Sequence, residues 1–329
     1  MISGIRKIIS TIFLGVIFLF IPNSNLHAQT IQNENDLSFV VNSNQIYYGI
    51  NAGSNNKELR FRFKQQNKQN VIYFDIYDEN QFFTFGAYNS SGVFILIQDH
   101  PGTKSQNRLT PKEFDNQFGK LLFDSSNVYD LEFEKIGGDT ILVPESNLII
   151  SDASGNLVVL HTYDNSVELI QSNLPYYAVT FWYPYSEFQS NSNLDSEATI
   201  HTSLMNAIDK LDENFSIDSG FEILTKFYPV NDRLTSIMIS PNNNQVYVSL
   251  DENAEEIWRF DINGGTVETH SGFEQNHKAN IPKLGITSSD LVILNFSNED
   301  LTVGIISIAI GILLIIIIPT IIILPKLEK

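Results

Sequence analysis

Several groups of residues in this chain have types and spacings that could do chemistry. Ile217-Asp218-Ser219-Gly220 matches the apolar-Asp-Ser/Thr-Gly pattern that places an aspartate to activate water. That reaction needs two carboxylates sharing a proton, and a second copy is missing, so a homodimer would have to supply it. A turn leading from a helix into a strand at Phe221–Phe227 explains the same residues without catalysis. Ser54-Asn55-Asn56-Lys57 spells S-x-x-K in a polar turn, where a serine nucleophile would have no buried base. Beyond the first 28 residues the histidines are His100, His161, His201, His270 and His277. None has the i,i+4 or x-His-x-His spacing of a metal pair, although His270 and His277 could meet across a loop.

Oxygen ligands are the better metal candidates. Asp251, Glu252, Glu255 and Glu256 line an expected hairpin loop, and Asp261-Ile262-Asn263-Gly264-Gly265 begins like a calcium loop. Its twelfth position is Gly272 where a glutamate is needed, and Asn263-Gly264 is equally a tight turn. Calcium is therefore the one cofactor expectation. Pro175 to Tyr185 is the most aromatic stretch: alternation sends Tyr177, Val179, Phe181 and Tyr183 to one face and Tyr176, Thr180 and Trp182 to the other. An exposed face carrying Tyr176, Trp182 and Tyr185 would suit a glycan or a protein partner, whereas burial on both faces would make it a central strand. Sequons at Asn89, Asn214 and Asn295 are candidate glycosylation sites. The sequence contains no G-x-S-x-G, H-E-x-x-H, P-loop or G-x-G-x-x-G motif.

The elements that would position these residues read mainly as strands. Glu58-Leu59-Arg60-Phe61-Arg62-Phe63-Lys64 alternates strictly, with Leu59, Phe61 and Phe63 on one face. Val71–Asp78, Gln81–Tyr88, Gly92–Gln98, Val128–Glu134, Thr140–Val143, Asn147–Ser151, Asn156–Tyr163, Val167–Gln171 and Tyr176–Tyr183 follow between turn residues. Leu204, Ile208, Leu211 and Phe215 recur at helical spacing after Ser196, a candidate N-cap, and this is the one helix the periodicity predicts between the chain's two ends. Strands resume at Phe221–Phe227, Leu234–Ser240, Gln245–Leu250, Glu256–Ile262, Thr266–His270 and Leu291–Phe296.

This predicts a mainly β fold: a β-sandwich-like all-β domain over 33–185, a polar linker over 186–197 and a smaller α+β domain over 198–297. One continuous β domain with an inserted helix is the alternative. Leu234–Gly265 resembles one β-propeller blade, with Ser240-Pro241-Asn242-Asn243 as its turn, but the pattern does not repeat as a propeller must.

Both ends of the chain are apolar. Arg6-Lys7, then Ile8–Ile21, then a polar stretch ending Leu26-His27-Ala28 have the three parts of a secretory signal, placing the mature start at Gln29. Leu301–Pro325 carries no charge, follows Glu299-Asp300 and precedes Lys326 and Lys329, as expected of a single transmembrane helix with a cytoplasmic tail over 326–329. The expected location is the cell membrane, with the bulk of the chain outside. The layout, the composition and the hairpin style of 234–262 resemble tail-anchored β-rich surface proteins of ammonia-oxidising archaea.

The chain has no cysteine, which removes thiol catalysis and thiolate metal sites. Its formal charge is −18, which argues against nucleic acid as a partner. The reading that follows is a membrane-anchored extracellular structural or binding protein of the cell surface, partnered by an envelope protein, a glycan or a membrane complex. The alternatives are an extracellular hydrolase on a propeller-like scaffold and an accessory subunit of a membrane complex.

Overall fold

Alternation is strongest at Leu59–Gln66, and there the chain forms a strand whose Leu59 and Phe61 are buried while Arg60 and Arg62 turn to the opposite face. A computed structural model describes residues 37–43, 45–52, 57–99, 108–128, 146–163, 166–172, 176–180, 195–211, 214–227, 235–250 and 254–295. Their strands are β1 (Leu37–Asn42), β2 (Ile46–Ala52), β3 (Leu59–Gln66), β4 (Gln69–Asp78), β5 (Gln81–Asn89), β6 (Phe94–Asp99), β7 (Ser146–Ser151), β8 (Leu157–Tyr163), β9 (Ser166–Ser172) and β10 (Tyr176–Thr180). They continue with β11 (Thr235–Ser240), β12 (Gln245–Ser249), β13 (Ile257–Asp261), β14 (Thr266–Ser271), β15 (Lys278–Asn280) and β16 (Ile286–Thr287). The helices are α1 (Pro111–Asp124), α2 (Asp195–Asp209), α3 (Ile217–Lys226) and α4 (Ser288–Asn295).

The strands make two antiparallel sheets, ordered β10-β1-β2-β11-β12-β13-β14-β15 and β16-β3-β4-β5-β6-β7-β8-β9. Their facing sides share one apolar layer: Val40, Tyr48, Ile50, Ile237 and Phe260 from the first sheet meet Phe61, Phe74, Phe94, Leu96 and Ile149 from the second. Tyr48 stacks on Phe94 at 4.6 Å and Phe61 packs against Phe260 at 4.8 Å, so aromatic pairs join the sheets. On the outer side of the second sheet, Phe114, Phe118, Leu121 and Leu122 of α1 cover Tyr73, Ile95, Leu148 and Val158. On the outer side of the first, Leu204 and Ile208 of α2 and Phe221 and Leu224 of α3 cover Phe39, Tyr47 and Met238. The layering is α–β–β–α.

This corrects the expected fold class. β1, β2 and β10 belong to the same sheet as β11–β15, and β16 closes the edge of the other sheet, so no separate sandwich and smaller α+β domain form. All described residues fall in one compact unit spanning 34–329. The propeller-like stretch is β11, β12 and β13, three neighbours inside an eight-stranded sheet. Among the described residues no helix is long and apolar enough to cross a membrane, so the membrane-helix part of that class finds no support there; Leu301–Pro325 lies outside them.

Three local assignments also change. α1 begins with Thr110, whose hydroxyl accepts from the Glu113 backbone while the Glu113 carboxylate accepts from Thr110 N at 2.8 Å, followed by Pro111 at a position where a missing N–H costs nothing. The expected strand Phe221–Phe227 is helical up to Lys226: Ser216 caps α3, and Phe221 and Leu224 point to the sheet at helical spacing. Gly220 lets α3 approach, since a Cβ there would stand 2.3 Å from Met238 Cε. Leu291–Phe296, read as a strand, instead lies largely in α4, whose start Thr287 and Asp290 cap reciprocally.

Candidate active site

The two ends of the inter-sheet layer are built differently. At one end the strands turn tightly through 67–68, 152–156, 241–244 and 262–265. Buried polar side chains there are spent on turn backbone: Tyr48 Oη donates to Asp152 O at 2.9 Å, Ser151 Oγ to Asn156 O at 2.8 Å and Asn70 Nδ2 to Asn263 O at 3.3 Å. These bonds fasten turns, and burial raises the Tyr48 phenol well above its ordinary range.

At the other end, residues 53–56 leave β2, residues 100–145 join β6 to β7 through α1, and residues 181–234 join β10 to β11 through α2 and α3. Long connections gathered at one end of a rigid scaffold are where functional residues concentrate. Here the inner face of β1 carries Ser38, 4% exposed, and its Oγ donates to Oε1 of Gln98 on β6 at 3.1 Å. This side-chain bond crosses from one sheet to the other. Register continues the line: Gln98 pairs with Asn147 of β7, Asn147 with His161 of β8, and His161 with Glu168 of β9. Gln98 and Asn147 are both 3% exposed. Neighbouring strands of a sheet lie about 4.8 Å apart, so the carboxamides of Gln98 and Asn147 occupy successive places, with the Ser38 hydroxyl reaching the first of them from the opposite sheet.

Such a row can do specific things. Carboxamide N–H groups fixed in a water-poor site stabilise a developing oxyanion. The serine supplies an oxygen in a chain that has no thiol. Burying an unpartnered carboxamide costs about 1–3 kcal/mol, so the Ser38–Gln98 bond also holds the end of the layer in one arrangement.

Apart from His161, the described residues singled out in the sequence fall elsewhere. Tyr176 pairs with Val41 on the edge strand β10, and Trp182 and Tyr185 lie outside the described residues. So do Asp251 and Glu252, while Glu255 is exposed and Glu256 half-buried just before β13. Among the described residues there is no group of three or more His, Asp or Glu able to hold a metal ion. Asp261 Oδ1 accepts from Asn263 N at 3.0 Å, a side chain closing its own turn. Asp218 stands in the first turn of α3, where a carboxylate complements the helix dipole, and Ser219 returns to the cap Ser216.

His270 packs edge-on against Tyr247 at 5.0 Å, and His277 is tied through Thr269, whose N donates to His277 O at 3.0 Å. Asn89 is fully buried and its Nδ2, the atom a glycan would occupy, donates to Leu122 O at 2.8 Å. Asn214 is exposed between α2 and α3, and Asn295 ends α4. Only strand pairing brings Ser38, Gln98 and Asn147 together; in the sequence each stands beside an apolar run and belongs to no motif.

No protein-family model matches the chain, and no curated protein matches it. The solved structures it is similar to include a mutant of conjugated bile acid hydrolase from Clostridium perfringens, at 13% identity and a TM-score of 0.49, covering 75% of this chain and 97% of that one. Penicillin V acylase from Agrobacterium tumefaciens matches at 11% identity and a TM-score of 0.45, covering 68% and 91%. An N-acylethanolamine-hydrolyzing acid amidase ortholog from Caenorhabditis elegans matches at 13% identity and a TM-score of 0.42, covering 62% and 92%. These have the Ntn-hydrolase fold, layered α–β–β–α. They are neither tail-anchored surface proteins nor propellers, so the resemblance to those classes does not stand, and neither does the structural or binding role at the cell surface read from the chain's layout and its missing catalytic motifs.

Proposed function

We propose that this chain is an extracytoplasmic hydrolase that works at the Ser38 end of its inter-sheet layer. The observation that carries the reading is the Ser38–Gln98 bond: a buried hydroxyl joined across the two sheets to a carboxamide, at the end where the long connections gather. The signal-like residues 1–28 support the compartment. With no cysteine in the chain, a covalent route runs through oxygen. The serine oxygen attacks an acyl carbonyl, the Gln98 and Asn147 carboxamides donate to the oxyanion, and collapse expels the leaving group, which takes up the proton lost by the serine. Water then cleaves the ester and restores the hydroxyl. His161 stands beside Asn147 in the strand register.

The names of the similar structures choose the first substrates to try: a conjugated bile acid, penicillin V and an N-acylethanolamine. The expected outcome is hydrolysis of at least one by the folded protein. Ser38→Ala should abolish it, and Gln98→Leu should lower kcat by about 10²–10³ with little change in KM. Hydrolysis that survives Ser38→Ala unchanged would overturn the assignment.

A further inference from the structure

A second site lies on the outer face of β3, away from the inter-sheet layer. Arg60 and Arg62 both reach one carboxylate, Asp75 of β4, which is fully buried. Arg60 Nε donates to Asp75 Oδ2 at 2.9 Å, and Arg62 grips the same carboxylate through Nε and Nη2. Thr84 Oγ1 donates to Asp75 Oδ1 at 2.6 Å and accepts from Arg62 Nη2 at 3.1 Å. Asp75 sits where the β4–β5 register shifts, a bulge that aims its side chain between the two arginines.

Two guanidiniums on one carboxylate leave a surplus positive charge. Among the described residues the neighbouring acids do not supply its complement, because Asp78 is held by Lys57 at 3.3 Å and Arg108 at 2.7 Å, and Asp115 by Lys64 at 3.1 Å. Both guanidiniums are fixed in plane, Arg60 over the Phe82 ring at 3.7 Å and Arg62 over Tyr73 at 4.5 Å. Their side chains keep 18% and 16% exposure, so they are preorganised but reachable from solvent. Beneath Arg62, Tyr73 is fully buried, and that burial holds its phenol well above the ordinary range.

We propose that Arg60 and Arg62 form a binding site for a small oxyanion, a carboxylate or a phosphate group, which supplies the missing negative charge through bonds to the guanidinium edges that Asp75 leaves unused. The site stands independently of the hydrolase reading. The test titrates the full chain with sodium phosphate and, separately, sodium acetate, holding ionic strength constant with sodium chloride and following the thermal midpoint. One of the two anions should raise the midpoint by about 2–4 °C at about ten times its dissociation constant, and which one does so names the group. Arg60→Gln should lose the rise, while Arg259→Gln, which breaks a different ion pair, should keep it. No rise with either anion, or an equal rise in Arg60→Gln, overturns the proposal. If Arg60→Gln does not fold, equilibrium dialysis of the unsubstituted protein with labelled phosphate and acetate decides, and the absence of saturable binding overturns it.

Discussion

At the scale of single residues, stability concentrates in a few buried polar groups. Asp75→Ala would leave two half-buried guanidiniums facing each other without their carboxylate, and should cost about 3–5 kcal/mol in urea unfolding. The β13–β14 face adds a pH dependence. Burial, with Arg259 nearby, holds the His270 imidazole below its ordinary range. The unfolded chain therefore takes up that proton first, and this stabilising contribution is present above about pH 6.5 and shrinks as pH falls through that value. Arg259 and Lys278 likewise hold the Glu268 carboxyl low, so its contribution is present above about pH 4.3 and is lost on further acidification. Urea midpoints between pH 8 and pH 5 should fall less in His270→Gln than in the unsubstituted protein. A slope unchanged by the substitution would remove His270 from the account.

At the scale of elements, what the sequence reveals depends on how many faces of an element are covered. Amphipathic β3 alternates and was readable, whereas β1 and β2 are buried on both faces and leave no alternation to see. α1 escaped although Phe114, Phe118, Leu121 and Leu122 have helical spacing and Thr110-Pro111-Lys112-Glu113 is a helix start. In α3, Phe221 and Ile223 imitate strand alternation, and only the Ser216–Ser219 cap decides for helix. Thr110→Ala should thus cost about 1 kcal/mol, read as a lower urea midpoint, with Thr110→Ser recovering most of it. The candidate site was not readable at this scale, because Ser38, Gln98 and Asn147 meet only through the pairing of distant strands.

At the scale of the whole molecule, the sheet order makes the two expected domains one body. The sheet that begins with β10, β1 and β2 is completed by β11–β15, so neither 33–185 nor 198–297 contains a whole sheet pair. Expressed separately, neither piece should show a cooperative urea transition, while 34–295 should show a single one; two independent transitions would restore the two-domain view. The same layering sets the two ends of the inter-sheet layer apart, one closed by turns and one carrying the cross-sheet polar row. The most direct test of the central claim is the hydrolysis assay on the folded protein and its Ser38→Ala variant. Release of the acyl product by the former and none by the latter is the expected result. Equal turnover by both, or none by either across the three substrates, would contradict an active site at Ser38.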